Sequence, residues 1–207
     1  MNVEGSELLG VYGANEVLEN KTRLNLEGKK VAVIGGGNVA MDISRTIKRQ
    51  GAADVTVIYR RQEEQMPAEE IEIKEAKEEG INFLFKTNIV KILPDEDLNK
   101  VAKIECIKTE LIQKEGETRL SPVNIENSNY LLDMDFVFFA VGSKTEERAI
   151  KSIGLELNNG YIKVDENYKT SNNKVYAGGD LIGQNATVAW AARSGRDAAY
   201  AIINSIC

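Results

Sequence analysis

The chain has 207 residues, 43% apolar and 28% charged, with 26 Lys plus Arg against 32 Asp plus Glu and a net charge of −6. That is enough apolar surface for a real core, in one large domain or one and a half ordinary ones, and the acidic balance argues against nucleic acid, whose binding rests on clustered cations. No stretch approaches the roughly 20 apolar residues of a membrane span, and residues 1–5 lack the basic and apolar regions of a signal peptide, so no membrane partner and a cytoplasmic location are expected.

Residues 1–27 read as a lead-in, with a short helix expected over residues 13–20 and a turn at residues 25–29. Val31-Ala32-Val33-Ile34 is a short apolar run of the kind a fully buried parallel strand shows. Gly35-Gly36-Gly37-Asn38-Val39-Ala40 follows directly and reads G-x-G-x-x-A, after which Val39, Ala40, Ile43 and Ile47 recur at helical spacing. The helix is expected to end near Gln50-Gly51. Between a buried strand and an amphipathic helix, such a turn is a dinucleotide fingerprint. Gly35 permits the sharp turn, Gly37 lets a pyrophosphate lie against the backbone, and Ala40 is small enough for close helix–sheet packing. The leading amides of the helix, from Asn38 and Val39 onward, have no partners inside it and point at that phosphate with the positive end of the dipole.

The second strand, residues 55–60, ends in Arg60-Arg61. A domain selecting NAD places an acid near that tip for the ribose 2′-hydroxyl. Two guanidiniums stand there instead, and paired donors suit the 2′-phosphate of NADP. NADP(H) is therefore expected over NAD(H).

Met66-Pro67 is expected to open a second helix, with Pro in the first turn and Glu69 and Glu70 behind it, a Glu70–Lys74 pair on its surface and Gly80 as its stop. Its many carboxylates read as a solvated face rather than an acid–base site. The loop of residues 62–67 should lie over the adenosine half of a bound cofactor. A third strand spans residues 81–85. Strands at residues 89–93, 101–112 and 118–123, with turns at 94–99 and 114–116, read as an antiparallel meander replacing a crossover helix. Residues 135–140 are apolar enough for a buried strand returning to the central sheet, ending in Ala140-Val141-Gly142, where the chain would pass close to a cofactor. A short helix over 145–153, strands at 160–165 and 175–177, and a long final helix from about residue 185 complete the chain. Ala189, Ala191, Ala192, Ser194, Gly195, Ala198, Ala199 and Ala201 make that helix smooth, suited to close approach by another backbone.

Absences narrow the chemistry. With 0 His, Ser-His-Asp catalysis and imidazole metal ligation are excluded. Cys106 and Cys207 are far apart, so there is no C-x-x-C redox pair and no iron–sulfur ligand cluster, and two free thiols are expected. No side chain is assigned a catalytic role.

Gly35-Gly36-Gly37-Asn38-Val39-Ala40-Met41-Asp42, with Tyr59-Arg60-Arg61 and Met66-Pro67-Ala68, resembles the NADPH-binding domain of the glutamate synthase small (beta) subunit family, which is similar to those of dihydropyrimidine dehydrogenase and the ferredoxin:NADP transhydrogenase large subunit. Val175-Tyr176-Ala177-Gly178-Gly179-Asp180, Thr187-Val188-Ala189 and Gly195-Arg196-Asp197-Ala198-Ala199 resemble the second FAD motif of the same flavoproteins. The resemblance implies that Gly179 and Asp180 meet the flavin's ribityl chain and that the helix opening at Thr187-Val188 faces its pyrimidine side. It implies an α/β fold in two parts: a Rossmann-like NAD(P)-binding domain, residues 1–145, pairing a parallel sheet with the meander, and residues 146–207 as the C-terminal portion of an FAD-binding domain. Family members begin with a cysteine-rich iron–sulfur region and a first FAD-binding G-x-G-x-x-G half, so the chain is expected to be a fragment, cut deliberately or naturally truncated. Two departures are Glu69-Glu70, where relatives often carry Arg, and Ser143-Lys144, where many have a proline.

The resemblance implies an oxidoreductase that, at full length, passes hydride from NADPH to FAD with a glutamate synthase large subunit or an equivalent as partner. The fragment itself is expected to bind NADP(H), to lack activity, not to retain FAD, and to self-associate through residues 146–207. The alternative is a stand-alone NADP(H)-binding or sensor module, or the same module in a ferredoxin:NADP transhydrogenase.

Overall fold

A computed structural model describes residues 3–19, 22–96, 99–113, 120–142, 147–184 and 187–206, with the backbone alone for 147–149. The turn expected at 114–116, Ser143-Lys144, the expected helix start at residue 185 and Cys207 lie outside the described residues. The chain divides into two compact units, Met1–Val141 and Gly142–Cys207.

In the first unit the elements run β1 (Val11–Gly13), α1 (Ala14–Leu18), β2 (Lys30–Ile34), α2 (Asn38–Arg49), β3 (Asp54–Ile58), α3 (Glu70–Glu78), β4 (Asn82–Leu84), β5 (Thr87–Pro94), β6 (Val101–Ile112), β7 (Ser121–Asn124), β8 (Tyr130–Asp133) and β9 (Phe136–Phe139). Five strands make an all-parallel sheet in the order β1-β9-β2-β3-β4. β5, β6, β7 and β8 pair antiparallel, with β6 taking β5, β7 and β8 as partners. Val31, Val33, Val55, Val57 and Phe138 face one core with α2 and α3, through Ala40, Met41, Ile43, Ile47, Ile73 and Ala76. Ala32, Ile34, Ile58 and Val137 face a second core built on Ile89, Ile92, Ile104, Cys106 and Met134 of the antiparallel sheet and its margins. Both faces of the parallel sheet are thus covered, which is why its strands are apolar without alternation. The meander covers the face that a second helical layer would otherwise occupy.

The lead-in is part of this architecture. Val11–Gly13 is an edge strand on β9, with the Tyr12 ring 5.9 Å from Phe138. Upstream of it, Ile92 donates to the Glu4 carbonyl at 2.8 Å and Val101 to Leu9 at 2.9 Å, tying residues 4–9 to the meander. Three residues are too few for a period to show, and the pairing partner lies 126 positions on, at Val137. β8 is short and half exposed, and it too has no signal of its own in the sequence.

The second helix begins later than its proline suggests. Met66 is extended, with ψ of 132°, and so is Glu69, the residue that precedes α3, with ψ of 138°. The Ala68 N–H bonds to the Gly36 carbonyl at 3.1 Å, and the Glu69 N–H bonds to Asn38 Oδ1 at 2.9 Å. These tertiary bonds hold the backbone that an early helical turn would need.

The carboxylates of α3 are also more than a solvated face. Arg45 on α2 reaches Glu72 and Glu75 at 2.6 Å each and Glu79 at 3.0 Å, and Arg49 joins it on Glu79. Lys74 pairs with Glu78 at 3.8 Å rather than with Glu70. Bonds from Arg49 and Arg45 pull the Glu79 carboxyl below its ordinary value of 4.5. A lowered folded-state pKa adds stability above the unfolded value and loses it as pH falls through the folded one. Arg45→Met is therefore expected to lower the urea midpoint at pH 7, and the gap to the parent should narrow as the pH falls below 4.5. A gap that stays constant from pH 7 to pH 3 would show that the pairs contribute nothing.

The second unit holds α4 (Glu147–Ser152), a hairpin of β10 (Leu157–Asn158) and β11 (Tyr161–Ile162), and α5 (Val188–Ile206). Asn159 and Gly160 make the hairpin turn, both at positive φ (51° and 84°), the backbone that an Asn-Gly pair adopts most readily. The strand expected over 160–165 is thus confined to Tyr161–Ile162, with Val164 in an isolated bridge to Thr170. Residues 175–177 form no strand among the described residues: they pair with residues 168–170 through one isolated bridge, Tyr176 to Lys169, and the pairing does not run on past Tyr168, whose φ is 62°.

Candidate functional site

The parallel strands run β2 to β3 to β4 in one direction and return through β9 on the other side of β2. The order reverses there, and a crevice for ligands opens at the carboxyl ends of strands where this occurs. Gly35 stands at that point. Its N–H bonds to the Ile58 carbonyl at 3.1 Å, while the Ala140 N–H bonds to the Ile34 carbonyl at 2.8 Å, so the ends of β2, β3 and β9 meet at one place. Gly35 has φ of 146°, and a Cβ on it would collide with the Ala140 carbonyl oxygen. Ala140 is thus a wall of the turn, half-buried. Gly35→Ala is expected to destabilise the unit by about 3 kcal/mol, from strain at positive φ plus a backbone clash. A denaturation midpoint unchanged by that methyl would contradict the geometry.

The three glycines do different work. A Cβ on Gly36 would lie 2.6 Å from the Tyr59 ring, whereas the nearest atom to one on Gly37 is Pro67 Cγ at 3.8 Å. Gly36 admits a protein side chain, and Gly37 leaves open space. Gly37 precedes α2, whose first bond runs from the Ala40 N–H to the Gly37 carbonyl at 2.9 Å. The amides of Asn38 and Val39 come ahead of that bond, at the positive end of the dipole. Ala40 is buried against the sheet and Val39 is exposed. The Asn38 side-chain oxygen is already occupied by the Glu69 N–H. The role of Gly36 had no signal in the sequence beyond its place in the motif, because the ring that demands it comes from Tyr59.

Past β3, the Arg60-Arg61 tip is held by its backbone. Thr109 Oγ1 donates to the Arg60 carbonyl at 2.9 Å, the Lys86 N–H to the Arg61 carbonyl at 2.8 Å, and the Thr87 N–H to the Tyr59 carbonyl at 3.2 Å. Arg60 is exposed, and Arg61 donates from Nε to the Leu120 carbonyl at 3.3 Å. The nearby Glu63 carboxylate is taken by Lys77 at 2.6 Å. Two adjacent guanidiniums on a fixed backbone can grip a phosphate dianion.

In the second unit, Gly142 has φ of 89° and no atom near a would-be Cβ. Gly179 has φ of 66° and opens a 3-10 turn with Asp180, whose side chain is exposed. The Gly179 N–H bonds to Ser194 Oγ at 2.8 Å, and a Cβ on Gly178 would meet that oxygen at 3.0 Å, so the turn is laid against α5. Thr187 caps the helix, its Oγ1 accepting the Trp190 N–H at 3.2 Å, and Val188 is 89% exposed. The Trp190 indole N–H is buried without an acceptor among the described residues.

Burial pushes the Cys106 thiol up to about 12, which makes it inert. Among the described residues no cluster of three His, Cys, Asp or Glu could hold a metal ion, and no helix is long and apolar enough to cross a membrane. The backbone amides of the glycine turn and the guanidiniums of the arginine tip are groups that can bind and orient an anionic ligand.

Solved structures share the whole fold. Thioredoxin reductase from T. acidophilum superposes with a TM-score of 0.74 at 25% identity, over 100% of this chain and 62% of that one. FprA from Mycobacterium tuberculosis, in complex with NADPH, superposes with a TM-score of 0.81 at 16% identity, over 100% of this chain and 60% of that one. The architecture is therefore that of the thioredoxin-reductase-like FAD- and NAD(P)-dependent oxidoreductases. Residues 1–195 match the model of the pyridine nucleotide-disulphide oxidoreductase family, and the chain belongs to that family. Among curated relatives, the glutamate synthase [NADPH] small chains of Escherichia coli and Halomonas elongata are 34% and 35% identical over 98% and 87% of this chain. The beta subunit of NADP(+)-dependent formate dehydrogenase from Moorella thermoacetica is 34% identical over 86%. The chain spans 47%, 39% and 25% of the lengths of those three proteins.

Proposed function

We propose that residues 1–145 are an NADP(H)-binding domain. The observation that carries this reading is a glycine turn at the sheet's switch point, with open space over Gly37 and two arginines at the tip of the next strand. Gly35, Gly37, Asn38, Val39 and Ala40 seat the diphosphate, Arg60 and Arg61 take the 2′-phosphate, and Ala140 and Gly142 border the nicotinamide end. The relatives' names, with NADPH or NADP(+) in each, agree with that choice.

Residues 146–207 are the C-terminal part of an FAD-binding domain. Gly179, Asp180, Thr187 and Val188 fit half of a flavin site: a close-packed glycine turn, an exposed carboxylate and a capped helix opening, beside an indole donor that lacks an acceptor. In a longer cytoplasmic protein, bound flavin would supply hydride acceptance from NADPH, and a glutamate synthase large subunit or an equivalent would be the partner. The side chains described here bind and orient, and none donates or removes a proton. As it stands the chain binds NADP(H) without retaining FAD.

Calorimetric titration with NADPH and NADH tests the first part. Tight NADPH and weak NADH binding are expected, and equal affinities would defeat the arginine assignment. A purified protein that carries stoichiometric flavin absorbance would defeat the second. Val188, Tyr200, Ile203 and Ile206 leave apolar surface exposed on α5, and self-association through this unit is expected, against which a strict monomer by light scattering at high concentration would count.

A further inference from the structure

Residues 62–69 connect the arginine tip to α3, and they are closed onto the glycine turn by four tethers. The Tyr59 ring lies against Gly36, and its hydroxyl donates to the Gln65 carbonyl at 2.8 Å. The Ala68 N–H bonds to the Gly36 carbonyl at 3.1 Å, and the Glu69 N–H to Asn38 Oδ1 at 2.9 Å. Within the segment, Gln62 and Gln65 close a 3-10 turn on each other, the Gln62 N–H reaching Gln65 Oε1 at 3.1 Å. Tyr59, Met66 and Ala68 are buried in the helix-side core, so the segment is a packed strap rather than a free loop.

Tyr59 has a particular place in this. It immediately precedes Arg60 in the chain and touches Gly36 in space, so one side chain joins the arginine tip to the glycine turn. Asn38 does the same from the helix side, since its backbone opens α2 while its side chain holds the far end of the strap. We infer that Tyr59 and Asn38 are positioning residues that fix the distance between the diphosphate seat and the 2′-phosphate seat, with Asn38 acting through Glu69 rather than as a phosphate ligand by its side chain.

The inference rests on the NADP(H) reading of the site, and it makes a distinction that reading does not. A ligand that spans both seats gains from their fixed separation, because the second contact is made without further ordering; a ligand that touches one seat gains nothing. Tyr59→Phe keeps the ring and removes the hydroxyl tether, and Asn38→Ala removes the acceptor for Glu69. Each is expected to raise the NADPH dissociation constant about tenfold while changing that of 2′-AMP, which meets only the arginine tip, by less than about twofold. In the ligand-free protein, hydrogen exchange at the Glu69 amide should accelerate in Asn38→Ala and return toward the parent rate in Asn38→Asp, which keeps the acceptor. Unchanged exchange in Asn38→Ala, unchanged NADPH affinity, or a parallel loss of 2′-AMP affinity would each overturn the inference. A parent protein that does not bind NADPH at all would instead overturn the reading of the site, and the two failures are told apart by the parent titration.

Discussion

Gly37→Val is expected to weaken NADPH binding by about 100-fold or more while costing only about 1 kcal/mol of stability, well below the cost of Gly35→Ala. Gly37 has φ of −95° and ψ of 178°, an extended backbone that valine adopts freely, and the nearest atom to its Cβ would be 3.8 Å away. The folded chain therefore has room for a Cβ, and the cost is about 1 kcal/mol, the difference between a tolerated and a poor residue at a helix cap. The same branched group stands where the diphosphate would rest on the backbone. Hydrogen bonds from amides to a charged acceptor are worth about 1.5–3 kcal/mol each, and losing one or two accounts for two decades of affinity. The contrast with Gly35→Ala is the useful part. Gly35 is required by the protein's own backbone, and the valine variant tests whether Gly37 is required by the ligand. Calorimetry beside urea unfolding reads both, and a valine variant that binds NADPH as tightly as its parent would move the diphosphate elsewhere.

The second large effect is on coenzyme choice. The double charge reversal Arg60→Glu with Arg61→Glu should cost NADPH about 100- to 1,000-fold and change NADH by less than about threefold, since only NADPH carries the 2′-phosphate. The two arginines are not equivalent. Arg61 spends one donor on the Leu120 carbonyl of the meander, while Arg60 is exposed at the tip. Arg60→Ala should therefore cost more than Arg61→Ala. The preference for NADPH should also fall with added salt, because the interaction lies at an exposed tip. An NADPH-to-NADH affinity ratio that survives the double reversal would remove the phosphate role from this tip.

Much of the positioning was legible because it is local. A short apolar run closed by a glycine turn reads as a strand covered on both faces, and helical spacing after the turn carries its own geometry. The arginine tip follows from the length of one helix and one strand. Residues 101–112 announce a long strand, and the turn residues around them announce a meander. The misreadings have a common cause. Val11–Gly13 is a strand only because β9 lies beside it, and Met66-Pro67 does not start a helix because Gly36 and Asn38 hold the next two amides. Residues 175–177 have strand composition, but their partner, residues 168–170, is too short to make more than one bridge. Asn159-Gly160 differs from these: its hairpin signal is local, and the turn confines the strand expected over 160–165 to Tyr161–Ile162.

Local sequence settled what depends on near neighbours: the glycine turn between β2 and α2, the two arginines after β3, the absence of imidazole, and thiols too far apart in the chain for a C-x-x-C pair. Tertiary structure decided what depends on distant pairing. It put β9 next to β2 and so placed Ala140 against Gly35, gave Gly36 to the Tyr59 ring, and turned the Asn38 side chain to Glu69. The reason is physical: side-chain periodicity reports which face of an element is buried, but it carries no record of which remote segment does the burying.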